Sequence, residues 1–300
     1  MVNEEQSRLW NGASGANWVQ AQELLDGMFR PFEQLLASAV VSVGATNVLD
    51  VGCGTGATTL AAARAGGAPR RCTGIDISQP MIELARQRAA RERIDASFIV
   101  ADAQTHDLAG AGFDMVISRF GVMFFEDPVK AFANLRRGAR EGAALRCVVF
   151  RSIAENAFMT AAERAAAPLL PALPPRPAGG PGQFAFADAR KVQGILESAG
   201  WRGVEMAPVD VTCKMPEPAL EGYFSRLGPV ALALREADDA TRARVVQAVR
   251  AGFAPYLHGD EVRFIAACWE IAARAELPVD DTGISGDQDH DAEHDAIPGE

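Results

Sequence analysis

The chain reads as an α/β protein with a doubly wound, mostly parallel sheet of seven strands, a helical N-terminal cap and an inserted helical cover. Three observations predict this. The apolar run Val48-Leu49-Asp50-Val51 stops at glycines in every second position, Gly52, Gly54 and Gly56, and the alanine-rich stretch Ala57 to Ala65 follows. Strand, glycine turn and helix in that order open a sheet whose ligands bind at the carboxyl ends of its strands. Strand-like and helix-like segments then alternate as far as Phe150, as parallel strands covered on both faces require. Two further strand-like segments, 204–214 and 262–271, close the sheet after a long irregular region.

Each element has its own justification. Ahead of the sheet, Ala16 to Val43 has helical spacing, with Leu24, Leu25, Met28, Phe29, Phe32, Leu35 and Leu36 on one broad face. Pro31 is expected to kink or divide this helix. Residues 1–44, including Trp10 and Trp18, form the cap. The second strand, Cys72 to Asp76, leads to a helix over Glu83 to Arg93, and the third, Phe98 to Ala101, closes on Asp102. Phe113 to Ser118 is the fourth strand. Glu126-Asp127-Pro128 starts a helix running to Arg140, with Asp127 as its cap and Pro128 at the first helical position. Leu145 to Phe150 is the fifth strand, following Arg140-Glu141-Gly142, and Asn156 to Ala167 is helical.

The six prolines between Pro168 and Gln183 exclude regular helix or central strand, and the segment is read as a loop within one domain spanning 45–276. Asp188 caps a helix ending at Ser198 before Gly200. Val204 to Lys214 is a strand. Pro218 to Ala254 is helical in pieces, broken at Gly228-Pro229, and Val262 to Ile271 is the last strand. The insertions fall at about 153–187 and 216–258, the second being where a substrate cover is expected in such a sheet.

The net charge of −10 misleads, because eight acids and no Lys or Arg lie between Leu277 and Glu300, leaving the rest at −2. That tail is read as a disordered, solvated segment, and its His290 and His294 as solvated residues, so no metal site is expected. The nearly neutral body offers no footprint for nucleic acid. The five cysteines, Cys53, Cys72, Cys147, Cys213 and Cys268, are scattered without a C-x-x-C, which fits a reduced, cytoplasmic protein. Met1 to Trp10 is too polar for a signal peptide and no apolar run reaches membrane-spanning length, so no membrane partner is expected.

The spacing of the first turn, G-x-G-x-G with Ala57 after it, discriminates only modestly between ligands. Asp50 adds a preference: a carboxylate there suits a sulfonium or ammonium better than a pyrophosphate, since like charges repel. Asp76 lies twenty residues beyond Gly56, the distance at which a carboxylate accepts from ribose hydroxyls. Together, Asp50 to Gly56, Cys72 to Met81, Phe98 to Ala103, Phe113 to Ser118 and Leu145 to Phe150 resemble the class I S-adenosylmethionine (SAM) dependent methyltransferases, over roughly residues 45 to 152. The resemblance implies a Rossmann-like sheet and a SAM site made of Asp50, Gly52, Cys53, Gly54, Gly56, Asp76, Ile77, Met81, Asp102, Ala103 and Ser118. In it, Asp102 accepts from the adenine amino group and the next backbone amide faces the ring. Read from the residues alone, Cys53 and Thr55 serve turn geometry, and a strand-end Asp also serves as a helix cap.

The run Ser118-Arg119-Phe120-Gly121-Val122-Met123-Phe124-Phe125 lacks the N/D-P-P-F/Y motif with which related enzymes grip a planar amine. It resembles the branch containing quinone and natural-product methyltransferases, which implies a small, apolar or aromatic acceptor methylated at carbon, oxygen or nitrogen. Methyl transfer needs alignment more than acid–base chemistry. Should a base be required, His106 and His258 are the candidates, each also readable as a structural residue, and Glu126 and Asp127 are acids that follow the fourth strand. Two other functions stay open on sequence: an NAD-dependent oxidoreductase, and a non-catalytic SAM-binding protein.

Overall fold

The computed structural model describes residues 3–66, 69–171, 173 and 180–276. Among the described residues the eight strands are β1 (Asn47–Val51), β2 (Arg71–Asp76), β3 (Ala96–Val100), β4 (Phe113–Arg119), β5 (Ala139–Phe150), β6 (Arg202–Pro216), the two-residue β7 (Leu257–His258) and β8 (Glu261–Arg274). Seven of them form one sheet in the order β3-β2-β1-β4-β5-β8-β6, and β7 pairs with β8. The first five in that order run parallel, and β8 lies antiparallel between β5 and β6. From β1 the chain winds outward to β2 and β3, then returns to the other side of β1 for β4 and β5. A crevice therefore opens at the carboxyl ends of β1 and β4, where the winding reverses.

The helices are α1 (Glu4–Asn11), α2 (Ala13–Gln20), α3 (Gln22–Val43), α4 (Ala57–Arg64), α5 (Gln79–Glu92), α6 (Pro128–Gly138), α7 (Ala161–Ala166), α8 (Ala189–Ser198), α9 (Leu220–Arg226), α10 (Gly228–Arg235) and α11 (Asp239–Gly252). The apolar stripe expected on the N-terminal helix is the buried stripe of α3: Leu25, Met28, Phe29, Phe32 and Leu36 are all in the core. The helix, however, starts at Gln22 after a break at Ala21, and it continues through Pro31. Burial of Met28, Phe29 and Phe32 around the proline holds the turn that its missing N–H weakens. α3 packs on α4 and on β4, β5 and β6, while α6 and α8 pack together over β5 and β6.

Two caps stand as expected. Asp127 Oδ1 accepts from Lys130 N at 3.0 Å, and Asp188 Oδ1 accepts from Arg190 N at 2.9 Å and Lys191 N at 3.2 Å. Two boundaries differ. Arg140-Glu141-Gly142, expected ahead of the fifth strand, lies inside β5, whose register against β4 jumps from Phe113↔Ala139 to Met115↔Ala144. Gly142, at φ +74°, forms this bulge and donates its N–H to Ala275 O at 2.8 Å. The stretch expected as one helix from Asn156 begins as a short 3-10 turn, Ala157–Thr160, before α7. All five cysteines are buried and free. Between β6 and β7, helices α10 and α11 pack against α7, and α9 packs on α10 and α11, with Phe158, Phe224, Phe253 and Phe264 in the core of this region. Among the described residues no helix is long and apolar enough to cross a membrane. Ala172, the segment 174–179 and the acidic tail 277–300 lie outside the described residues.

Candidate active site

The turn after β1 is tied to β2 and β4 by backbone contacts. Gly52 N and Cys53 N both donate to Ile75 O, at 2.9 and 3.2 Å. Gly52 has φ +65°, and a Cβ there would stand 2.6 Å from Gly121 Cα, so the turns after β1 and β4 touch main chain to main chain. Ser118 fixes the same junction: its Oγ donates to Val51 O at 2.7 Å and accepts from Gly121 N at 3.2 Å and Val122 N at 3.3 Å. Gly54 differs. A Cβ on it would meet only Met81 Sδ at 3.7 Å, because this residue faces an open cleft.

Two strand-end acids line that cleft, each held rigidly. Asp76 Oδ2 accepts from Gly54 N at 2.8 Å and Oδ1 from Ser78 N at 2.9 Å. Burial raises its carboxyl above the usual range, against the pull of these amides. Asp102 Oδ1 accepts from Gln104 N at 2.9 Å, and its Oδ2 accepts from Gln104 Nε2 at 3.2 Å and Asn3 Nδ2 at 3.3 Å. Gln104 Oε1 in turn accepts from Asp127 N at 2.8 Å, coupling Asp102 to the start of α6. The strands carrying the two acids are joined where Ala101 N donates to Asp76 O at 2.9 Å.

The rest of the wall is largely aromatic. Trp10 and Trp18 from the N-terminal helices, Phe29 from α3, and Phe120, Phe124 and Phe125 after β4 all line the cleft. Phe120 has φ +66°, an uncommon angle for a side chain of this size. Its ring stacks on Phe150 at 4.3 Å and meets Phe29 edge-on at 5.2 Å, and its N–H is taken by Val148 O at 2.9 Å. Trp10 meets Trp18 at 5.8 Å and Phe124 at 5.2 Å, both edge-on.

Comparison with known proteins bears on this arrangement. Residues 48–142, from β1 into β5, match a family described as a methyltransferase domain. Over that stretch the chain is similar to methyltransferase domains. Aklanonic acid methyltransferase DauC of a Streptomyces strain is 37% identical over 107 residues, covering 35% of this chain and 49% of that protein. Demethylmenaquinone methyltransferase of Renibacterium salmoninarum is 29% identical over 160 residues, covering 53% of this chain and 65% of that protein. The chain thus spans about half the length of the first relative and under two thirds of the second. The solved YcgJ protein of Bacillus subtilis has the same fold, with a TM-score of 0.52 at 16% identity over 81% of this chain and 98% of that one.

Of the expected site residues, Gly52, Cys53, Gly54, Asp76, Ile77, Met81, Asp102 and Ala103 are brought together around the cleft. Three are not. Asp50 is buried beneath the turn rather than facing a ligand, with Oδ2 accepting from Thr59 Oγ1 at 2.6 Å and Oδ1 unpartnered. Burial pushes its carboxyl up to about 7, well above the usual carboxylate range. Gly56, at φ +85°, caps α4, and a Cβ there would lie 3.0 Å from Ala85 Cβ and 3.1 Å from the Phe98 ring, so its task is packing against α5 and β3. Ser118 is fully buried and positions the turn after β4.

Neither histidine candidate lines the cleft. His106 sits in the loop after β3, where its main chain takes hydrogen bonds from Asn134, and His258 is exposed on β7. Proximity in sequence to Asp102 placed His106 near the acid's backbone but not in its cleft. Cys53 lines the cleft, and burial beside Asp76 and Asp50 holds its thiol well above the ordinary range, unsuited to nucleophilic work.

Sequence reasoning missed Asn3, Arg88 and Arg119. Arg88 Nη1 donates to Thr55 O at 2.8 Å and Nη2 to Asp26 Oδ2 at 2.6 Å, pinning the glycine turn between α5 and α3. Its position inside an Arg-rich helix gave no signal. Arg119 ends β4 beside the glycine turn, in a motif that had been read for its aromatic residues.

Proposed function

We propose that this protein is a SAM-dependent methyltransferase acting on a small, apolar or aromatic acceptor, with residues 1–44 as the cap of its site. The observation that carries the reading is the joint placement of Asp76, Asp102 and an open Gly54 on one cleft. The residues fit the nucleoside chemically. Each oxygen of Asp76 takes a single backbone amide, leaving acceptor capacity for hydroxyl donors. Asp102 already accepts from a planar amide NH2, that of Asn3, which is the chemistry an adenine amino group offers. Gly52 and Gly54 would shape the methionine part, and Ile77, Met81 and Ala103 would supply apolar wall.

When bound, SAM supplies an electrophilic methyl on a sulfonium, which passes to the acceptor's nucleophilic atom as the carbon–sulfur bond breaks and S-adenosylhomocysteine remains. The chain's own contribution is binding and alignment. Its strand-end acids are fixed by main-chain and amide donors, and its aromatic wall offers an acceptor a dry surface against which to lie. The domain's curated relatives act on aklanonic acid and demethylmenaquinone, both small molecules, which supports the acceptor class. A nicotinamide dinucleotide is not favoured, because the matching family and the curated relatives are methyltransferases.

Calorimetric titration with S-adenosylhomocysteine and with NAD tests the cofactor. Binding of the first and not the second is expected, with a saturating excess of a hundredfold over Kd raising stability by about 2.7 kcal/mol. Stabilisation by NAD alone sinks the reading. Transfer of labelled methyl from SAM into a metabolite extract tests the acceptor class, and label found only in protein or nucleic acid would reject it.

A further inference from the structure

Asp102 differs from Asp76 in having no acceptor capacity left. A carboxylate offers about four lone-pair sites. Asp102 Oδ1 accepts from Gln104 N at 2.9 Å and Gln104 Nε2 at 3.4 Å, while Oδ2 accepts from Gln104 Nε2 at 3.2 Å and Asn3 Nδ2 at 3.3 Å. A nucleobase amino group that reaches this carboxylate must therefore displace a donor already there. The two occupants are not equally held. Gln104 is buried and tied at both ends of its amide, with Oε1 accepting from Asp127 N at 2.8 Å. Asn3 is anchored through its main chain, whose N–H goes to the Glu126 carboxylate, and its side chain reaches out to Asp102 alone among the described residues.

The Asn3 side chain is poorly satisfied where it sits. The residue is 6% exposed and lines the cleft, yet its Oδ1 has no partner among the described residues. A buried amide oxygen without a donor costs stability, so this carboxamide is not locked in place by its own hydrogen bonding. The helix it precedes is fixed further along. Ser78 Oγ donates to Trp10 O at 2.7 Å, Asn11 Nδ2 donates to Ile77 O at 3.0 Å, and Asn11 Oδ1 accepts from Gln79 N at 2.9 Å. The amide of Asn3 is thus free to leave Asp102 while the rest of α1 stays docked. We propose that Asn3 is an intramolecular stand-in for the amino group of the nucleobase, an autoinhibitory contact that a bound nucleoside must break. The choice of adenine as the base rests on the SAM reading above.

Calorimetric titration of the wild type and Asn3→Gly tests this. Asn3 has φ +66°, and glycine keeps that left-handed backbone and the main-chain N–H while removing the carboxamide. Two ligands are compared, S-adenosylhomocysteine and its analogue in which hydrogen replaces the amino group of the base. Asn3→Gly is expected to bind S-adenosylhomocysteine about fivefold more tightly than the wild type, the worth of one hydrogen bond, and the analogue within about twofold of it. An equal gain for both ligands would make Asn3 a general obstruction and overturn the stand-in. Unchanged or weaker binding of S-adenosylhomocysteine by Asn3→Gly overturns it too, and leaves the SAM reading intact. If neither protein binds either ligand, the SAM reading fails and takes the stand-in with it.

A second readout needs no variant of Asn3. In isotope-labelled wild type, the side-chain amide resonances of Asn3 are expected to shift on adding S-adenosylhomocysteine and to stay in place with the analogue. Asp102→Ala, with no ligand present, should move them in the same direction. Resonances that Asp102→Ala leaves unmoved would show that the contact is not made in solution, and would overturn the proposal whatever the fate of the SAM reading.

Discussion

Asp76 and Asp102 end neighbouring strands and are held by different donors, the first by two backbone amides and the second mostly by the Gln104 and Asn3 side chains. Removing the charge of either should weaken S-adenosylhomocysteine, since a hydrogen bond to a charged group contributes roughly 1.5–3 kcal/mol. Asp76→Asn and Asp102→Asn are therefore each expected to raise its Kd by about tenfold or more in calorimetry, and an unchanged Kd in both would remove these acids from the site. Asp50 leads to a pH prediction. Its carboxyl keeps its proton in the folded protein up to about pH 7, while the unfolded chain releases it near the ordinary 3.8. Between those values the native state binds more protons than the unfolded state, so Asp50 makes stability fall as pH rises, by at most about 1.4 kcal/mol per unit. Urea unfolding from pH 4 to 8 should show a shallower fall in Asp50→Asn than in the wild type; equal slopes would contradict the assignment.

At the scale of elements, the β1 turn separates two glycine roles that its spacing alone cannot. Gly52→Ala meets Gly121 Cα at 2.6 Å as well as an unfavourable φ, so a loss of at least 2 kcal/mol is expected on chemical denaturation, roughly the sum of a left-handed penalty and overpacking. Gly54→Ala meets open cleft, so its expected loss is about 1–2 kcal/mol from the backbone alone, but it should weaken S-adenosylhomocysteine the more of the two. The reverse ranking would mean that Gly54 does not face the ligand. The helices behave as their caps dictate: Asp188→Ala should cost α8 about 1 kcal/mol through loss of its two amide contacts. Pro31 shows the opposite case, a local signal for a break that tertiary burial of its neighbours overrides.

Across the whole molecule, the N-terminal helices line the cleft with Trp10 and Trp18, while Trp201 and Trp269 are engaged elsewhere, donating to Phe132 O and Ala187 O. Tryptophan emission should therefore respond to S-adenosylhomocysteine, and the response should vanish in a Trp10→Phe, Trp18→Phe double variant that still binds it. Much of this architecture was legible in the residues. Period, caps and glycine spacing are local properties, and they placed the sheet's strands in order, the α6 and α8 starts and the pair of strand-end acids. What escaped them depends on which way a side chain points after strands from distant parts of the chain come together. Asp50 lies one residue inside the end of β1 and is buried against Thr59, whereas Asp76 is the last residue of β2 and lines the cleft. His106 is near Asp102 in sequence and outside its cleft in space. Arg119 reads as one polar residue in an aromatic run until β1, β4, α3 and α4 surround it and leave it without a partner. Sequence by itself determined the fold class and the pair of strand-end acids on the cleft, because both follow from short-range pattern. The setting of Arg119 on the same cleft was decided only by tertiary structure, because desolvation and pairing are properties of neighbours that the chain brings from far apart.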